Sequence, residues 1–203
     1  MIQNIIEFPS FKGIRCNMMP FIQGDSSSIP EEYKSYASVI DRNYLEKGEL
    51  GWLTIDEKFV ETGKSQRGYN SRNINRNVHI EVGVFNNSYK WGNRQGYGWG
   101  GKPNVSLKED TMVLIANSVD NTCRYWNNLE KRFTQDGDLS EYISDYPEKT
   151  GILLKSGELA KINILTPHEC VNQDYSSNRQ FIRIVGKGVK GRESYFTINP
   201  LLK

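Results

Sequence analysis

Asn77-Val78-His79-Ile80-Glu81-Val82-Gly83 sets an imidazole and a carboxylate two residues apart in a β-branched, apolar run. Val78 to Phe85 (VHIEVGVF) has the composition and length of a strand. In a strand, residues i and i+2 point to one face, so His79 and Glu81 project together and Ile80 turns away. The stretch before it, 64–77 (KSQRGYNSRNINRN), is polar, basic and rich in asparagine, and reads as a loop. The stretch after it, 86–103, holds five glycines among several aromatics. A long glycine-rich segment of this kind is expected to cover a binding site.

Working outward, residues 1–30 read as irregular structure, with a loop over 23–30. The run 30–47 (PEEYKSYASVIDRNYLEK) reads as a helix, with Pro30 near its first turn and Tyr33, Tyr36, Ala37 and Ile40 on one face. Lys47-Gly48 would end it. GELGWLTIDEKFVETG, 48–63, alternates as a strand pair or a strand and a turn. NVSLKEDTMVLIANS, 104–118, reads as two strands about a turn at Glu109-Asp110. The polar region 127–149 carries a turn at Asp136-Gly137-Asp138. A hairpin-like pattern closes the chain: GILLKSGELAKINILTPHE, then RQFIRIVG, then ESYFTINP. Short strands with regular turn signals point to a mainly β protein, a sandwich or jelly roll.

A chain of 203 residues suits one domain, 1–203, with 1–45 as an N-terminal extension on a core of 46–203. Charges nearly cancel at +2, and no lysine/arginine run stands apart from acidic neighbours, so no nucleic acid is expected. No apolar stretch nears the ~20 residues of a membrane helix. Nothing at the N-terminus resembles a secretion signal. Cys16, Cys123 and Cys170 are odd in number and widely spaced. They read as thiols of a reducing, cytoplasmic compartment and not as a disulfide frame or zinc knuckle.

The chain has two histidines, and the second, His168, follows the apolar run Leu159 to Leu165. His79, Glu81 and His168 together make a two-histidine, one-carboxylate set, which binds Fe(II) and leaves coordination positions open. A buried histidine bonded to backbone is the plainer explanation of a His-x-Glu pair taken by itself.

The glycine turn at Ser156-Gly157-Glu158, the apolar run, His168 and then Arg179 resemble the C-terminal half of the 2-oxoglutarate/Fe(II)-dependent dioxygenases. TPHE, RQFIR and the NP ending resemble an uncharacterised subgroup of that superfamily. The likeness covers roughly Gly63 to the C-terminus and leaves out 1–45. It implies a double-stranded β-helix, the jelly roll, to which 1–45, read from its own residues, adds a helical or irregular N-terminal extension. It further implies Fe(II) on His79, Glu81 and His168, and 2-oxoglutarate with its far carboxylate on Arg179. Dioxygen would be the second cosubstrate.

Arginine's planar fork suits a carboxylate bidentately. Arg179 and Arg183 share a strand face, so Arg183 is the alternative anchor, or a contact for a substrate acid. Cross-strand charge pairing is their plainer role. The chain departs from the family pattern twice: Glu81 stands where Asp is commoner, and Phe181 stands where a serine or threonine often assists the arginine. Tyr69, Tyr89 or Thr111 would have to supply that hydroxyl. Glu169 reads as an exposed loop acid or as a support for the His168 imidazole.

The expected activity is oxidation, most simply hydroxylation, of a C–H bond in a small-molecule substrate. Gln66 and Arg67, with Tyr69, precede the ligand strand; Tyr89, Trp91, Tyr97 and Trp99 follow it. They are candidate substrate contacts, or a loop pinned by its own aromatics. Asn117 and Arg124 are further pocket candidates, and Trp126 reads as core. Two rival readings stand beside this one: a cupin-like metalloenzyme that does not use 2-oxoglutarate, and a non-catalytic jelly-roll binding or structural protein.

Overall fold

The computed structural model describes residues 2–66, 76–81, 90–91, 94–95, 111–130, 132, 137–186 and 196–202. Eleven strands run in chain order: β1 (Ile2–Ile5), β2 (Arg15–Ile22), β3 (Leu50–Val60), β4 (Lys90–Trp91), β5 (Arg94–Gln95), β6 (Met112–Asn117), β7 (Cys123–Tyr125), β8 (Ile152–Leu153), β9 (Glu158–Asn163), β10 (His168–Cys170) and β11 (Ser177–Val185). The protein is mainly β, with two antiparallel sheets and one short α-helix, α1 (Ala37–Arg42), among the described residues.

The larger sheet has the order β1-β9-β6-β11-β3-β2, and the smaller β10-β7-β8. β4 and β5 pair only with each other. β11 is central: it pairs with β3 over nine residues, from Ser177↔Val60 to Val185↔Trp52, and with β6 on its other side. The period of two along β11 then sorts its side chains between two layers. Ile182 and Ile184 pack with Leu53, Ile55, Leu114 and Ala116 under Ile29, Tyr33, Tyr36, Val39 and Ile40 from the N-terminal region. On the opposite face, Val113, Ile115, Ala160, Ile162 and Val185 meet Cys123, Tyr125, Leu154, Val78 and Ile80. Arg179, Phe181 and Arg183 lie on this second face, between the sheets.

Several segments differ from the sequence-based expectations. The expected irregular stretch 1–30 contains β1 and β2, which form the two edges of the larger sheet. The helix expected over 30–47 is a 3-10 segment, Glu31–Tyr36, followed by α1. It ends early at Asn43, which turns extended; its backbone N–H makes the last helical bond to the Val39 carbonyl at 3.1 Å, and its Nδ2 donates to the same oxygen at 2.7 Å. The segment 48–63 is one long strand, β3 (Leu50–Val60), followed by a turn, the second of the two expected alternatives; no hairpin joins β8 to β9, which sit in different sheets. In place of an eight-residue strand, His79 makes isolated antiparallel bridges to Asp138 and His168. Residues 82–89 lie outside the described residues, as does the whole 187–195 stretch before the C-terminus.

Candidate metal centre

His79 and His168 face each other as a hydrogen-bonded antiparallel pair: each N–H donates to the other's carbonyl at 2.9 Å. Their rings lie 4.2 Å apart, centroid to centroid, tilted by 54°. The same local geometry repeats at both. Nδ1 of His79 is 2.8 Å from the Asn77 carbonyl, and Nδ1 of His168 is 2.9 Å from the Thr166 carbonyl. A carbonyl oxygen only accepts, so each Nδ1 carries hydrogen and Nε2 is the nitrogen left for a ligand. Backbone carbonyls supporting Nδ1 are a common outer support of metal-bound histidine.

Glu81 completes the group. Its N–H bonds the Ile164 carbonyl at 2.9 Å, and one carboxylate oxygen lies 3.4 Å from Nε2 of His168. The side chain is buried, and Arg183 Nη1 reaches both of its oxygens at 3.0 Å. Burial alone raises the Glu81 carboxyl; the Arg183 guanidinium, then the hydrogen bond and charge of His168 and the charge of His79, outweigh it. Together they hold Glu81 well below the usual carboxylate range. Among the described residues, no three His, Cys, Asp or Glu side chains close on one point tightly enough to hold an ion. Glu81 is spread against Arg183 instead. The donor chemistry nevertheless fits a first-row divalent cation: two imidazoles braced through Nδ1 and one ionised carboxylate.

These three residues line a cavity of about 220 Å³ with Thr54, Gln66, Ile115, Cys123, Arg179 and Phe181. Arg179 is 1% exposed, with Nε donating to Thr122 Oγ1 at 2.8 Å and Nη2 approaching the Thr122 carbonyl at 3.4 Å. Thr122 Oγ1 is in turn 2.6 Å from Asn117 Oδ1. No carboxylate pairs with Arg179 among the described residues, whereas Arg183 is committed to Glu81. Arg179 therefore presents guanidinium charge to the cavity without an acidic partner there.

The remaining candidates separate clearly. Gln66 lines the cavity; its Nε2 donates to the Asp56 carbonyl at 2.6 Å, and its buried Oε1 has no partner among the described residues. Asn117 stands behind Arg179 rather than on the cavity wall. Arg124 is buried in ion pairs to Glu169 at 2.6 Å and Glu148 at 3.2 Å; it does not line the cavity itself, although Glu169 does. Thr111 also stands apart, its carbonyl accepting from Ile164 N; among the described residues the hydroxyl that enters the cavity is Thr54, 3.3 Å from Arg183 Nη2. Glu169 corrects the expectation of an exposed acid: it is 2% exposed, held by Arg76 and Arg124, and the support of His168 is Thr166 instead. The buried Arg124 and the partly buried Arg76 offset the desolvation that a loop acid would avoid. Trp126 is core, as expected.

Arg67, Tyr69, Tyr89, Tyr97 and Trp99 lie outside the described residues, and Trp91 is described only as backbone in β4. Sequence reasoning passed over Thr54 and Thr122. Thr54 had a local signal, since it shares a β3 face with Asp56; Thr122, in the short turn before β7, had none. Cys123 was passed over as well. Burial, then the neighbouring Cys170, pushes its thiol up to about 12. No protein-family model, curated protein or solved structure matches this chain.

Proposed function

We propose that the protein is a non-haem Fe(II)/2-oxoglutarate-dependent oxygenase with the jelly-roll form of a two-sheet β fold, acting on a C–H bond of a small-molecule substrate. One observation carries the reading. Nε2 of His168, whose Nδ1 holds the hydrogen, faces a carboxylate oxygen of Glu81 at 3.4 Å. With one hydrogen already on Nδ1, that contact is favourable only when a second proton, on Nε2, or a cation lies between the two groups. A divalent cation would satisfy both, and His79 would supply the third ligand.

Bound Fe(II), with 2-oxoglutarate and dioxygen, supplies an oxidant able to break a C–H bond. The chain's own residues do the rest. Thr166 and Asn77 carbonyls hold the imidazoles in the metal-binding tautomer. Arg183 keeps Glu81 ionised. Arg179, braced by Thr122 and Asn117, offers its guanidinium to the far carboxylate of the cosubstrate. The unpartnered Oε1 of Gln66 favours a substrate that brings a hydrogen-bond donor. The cavity, below the ~300–1,000 Å³ of drug-sized ligand sites, favours small reactants.

Anaerobic titration with Fe(II) and 2-oxoglutarate tests the reading. A visible charge-transfer band that requires both supports it. Metal binding with no response to 2-oxoglutarate would favour a cupin-like metalloenzyme, and no metal binding a non-catalytic protein. Arg179→Gln should weaken 2-oxoglutarate more than tenfold and leave the iron affinity within about twofold.

A further inference from the structure

Cys123 and Cys170 stand directly opposite each other in the register of β7 and β10. The flanking bonds identify the kind of pair. Val171 N–H donates to the Thr122 carbonyl, and Trp126 N–H to the Pro167 carbonyl, each at 3.0 Å. Positions 122/171 and 126/167 are therefore the hydrogen-bonded ones, and 123/170 is a non-hydrogen-bonded pair, where opposed Cα atoms are only ~4.5 Å apart. That separation falls at the short end of the ~4.4–6.8 Å that a disulfide spans. Opposed residues share a sheet face, and both cysteines line the cavity. Neither is in a disulfide. Cys16, on the far side of the larger sheet, packs in the other core and cannot compete.

We propose that Cys123 and Cys170 form a redox-modification site, in which a peroxide-class oxidant entering the cavity converts the two thiols to an intrachain disulfide. Cys170, half-buried where Cys123 is buried, reacts first. Its sulfur attacks one peroxide oxygen, the O–O bond breaks, a sulfenic acid forms, and the other oxygen leaves as water with the thiol proton. The Cys123 sulfur then displaces the sulfenic hydroxyl, which departs with the Cys123 proton as a second water. Two thiols and one hydrogen peroxide give one disulfide and two waters, a two-electron change. The bond would tie β7 to β10 two residues from His168, so the oxidation state of the pair would bear on the same cavity wall. The proposal rests on strand register and stands apart from the metal reading.

The test uses the full chain, reduced, stripped of metal with a chelator, and treated in its folded state with hydrogen peroxide. Denaturation in N-ethylmaleimide, digestion and mass spectrometry should show a Cys123–Cys170 crosslinked peptide in most chains, with Cys16 alkylated. Dithiothreitol should restore labelling of both. Cys123→Ser should stop the reaction at a dimedone-reactive sulfenic acid on Cys170. Alkylation of both cysteines in the peroxide-treated wild-type protein, or crosslinks that join Cys16 or two chains, would overturn the proposal. Because no metal is present, such a failure would leave the iron titration unaffected.

Discussion

Glu81 keeps its charge at 2% exposure because Arg183 lies 3.0 Å away, and the stability of each depends on the other. Removing one partner of a buried pair strands the other, so Glu81→Gln should cost about 3 kcal/mol at pH 7 in urea denaturation. The pH dependence has a definite sign. The Glu81 carboxyl is held well below its unfolded value, so its stabilisation is complete above the ordinary carboxylate pKa of ~4.3 and is lost as pH falls toward the depressed folded value. The wild type should lose stability below about pH 4.3, and Glu81→Gln should show a shallower loss over the same range. Parallel curves for the two proteins would mean that Glu81 is not ionised when folded. For the proposed ligand set, His79→Ala and His168→Ala should each abolish Fe(II) binding in a protein whose circular dichroism is unchanged; full affinity in either would sink it.

At the scale of elements, β11 and β3 divide their side chains between a structural layer and the cavity. Glu57 of β3 belongs to the structural layer. It is 2% exposed and accepts from Lys12 N at 2.7 Å, Ile14 N at 2.9 Å, Tyr36 Oη at 2.8 Å and Gln180 Nε2 at 2.9 Å. Burial opposes its ionisation, but the hydrogen bonds from the Ile14 and Lys12 amides, Tyr36 and Gln180 together outweigh burial and hold the carboxyl below its ordinary range. This one side chain fastens the segment entering β2, the N-terminal 3-10 segment and β11 to each other. Glu57→Ala would leave two backbone donors unpaired and should cost about 3 kcal/mol, while Tyr36→Phe, which removes one donor, should cost about 1 kcal/mol. Equal losses would place the stabilisation elsewhere. The alternation of β3 was readable, but the partners of Glu57 were not. They come from segments between 21 and 123 residues away along the chain, and periodicity carries no record of them.

For the whole molecule, the larger sheet separates two cores, one under the N-terminal region and one shared with the smaller sheet. Damage to the first should not reach the cavity. Ile184→Ala, at 1% exposure, should cost ~2–5 kcal/mol and leave Fe(II) affinity unchanged. Ile115 faces the other way and lines the cavity, so Ile115→Ala should lower both stability and ligand affinity. By itself the sequence determined what depends on neighbours along the chain. A period of two put His79 with Glu81 and Arg179 with Arg183, and β-branched runs marked β6, β9 and β11. Tertiary structure decided what depends on chain closure: that Arg183 meets Glu81 while Arg179 rests on Thr122, that Glu169 is buried between two arginines, and that residues 1–22 supply both edges of the larger sheet. Strand pairing joins residues by register across the fold, and a local pattern specifies the face of a strand without naming the strand that will lie against it.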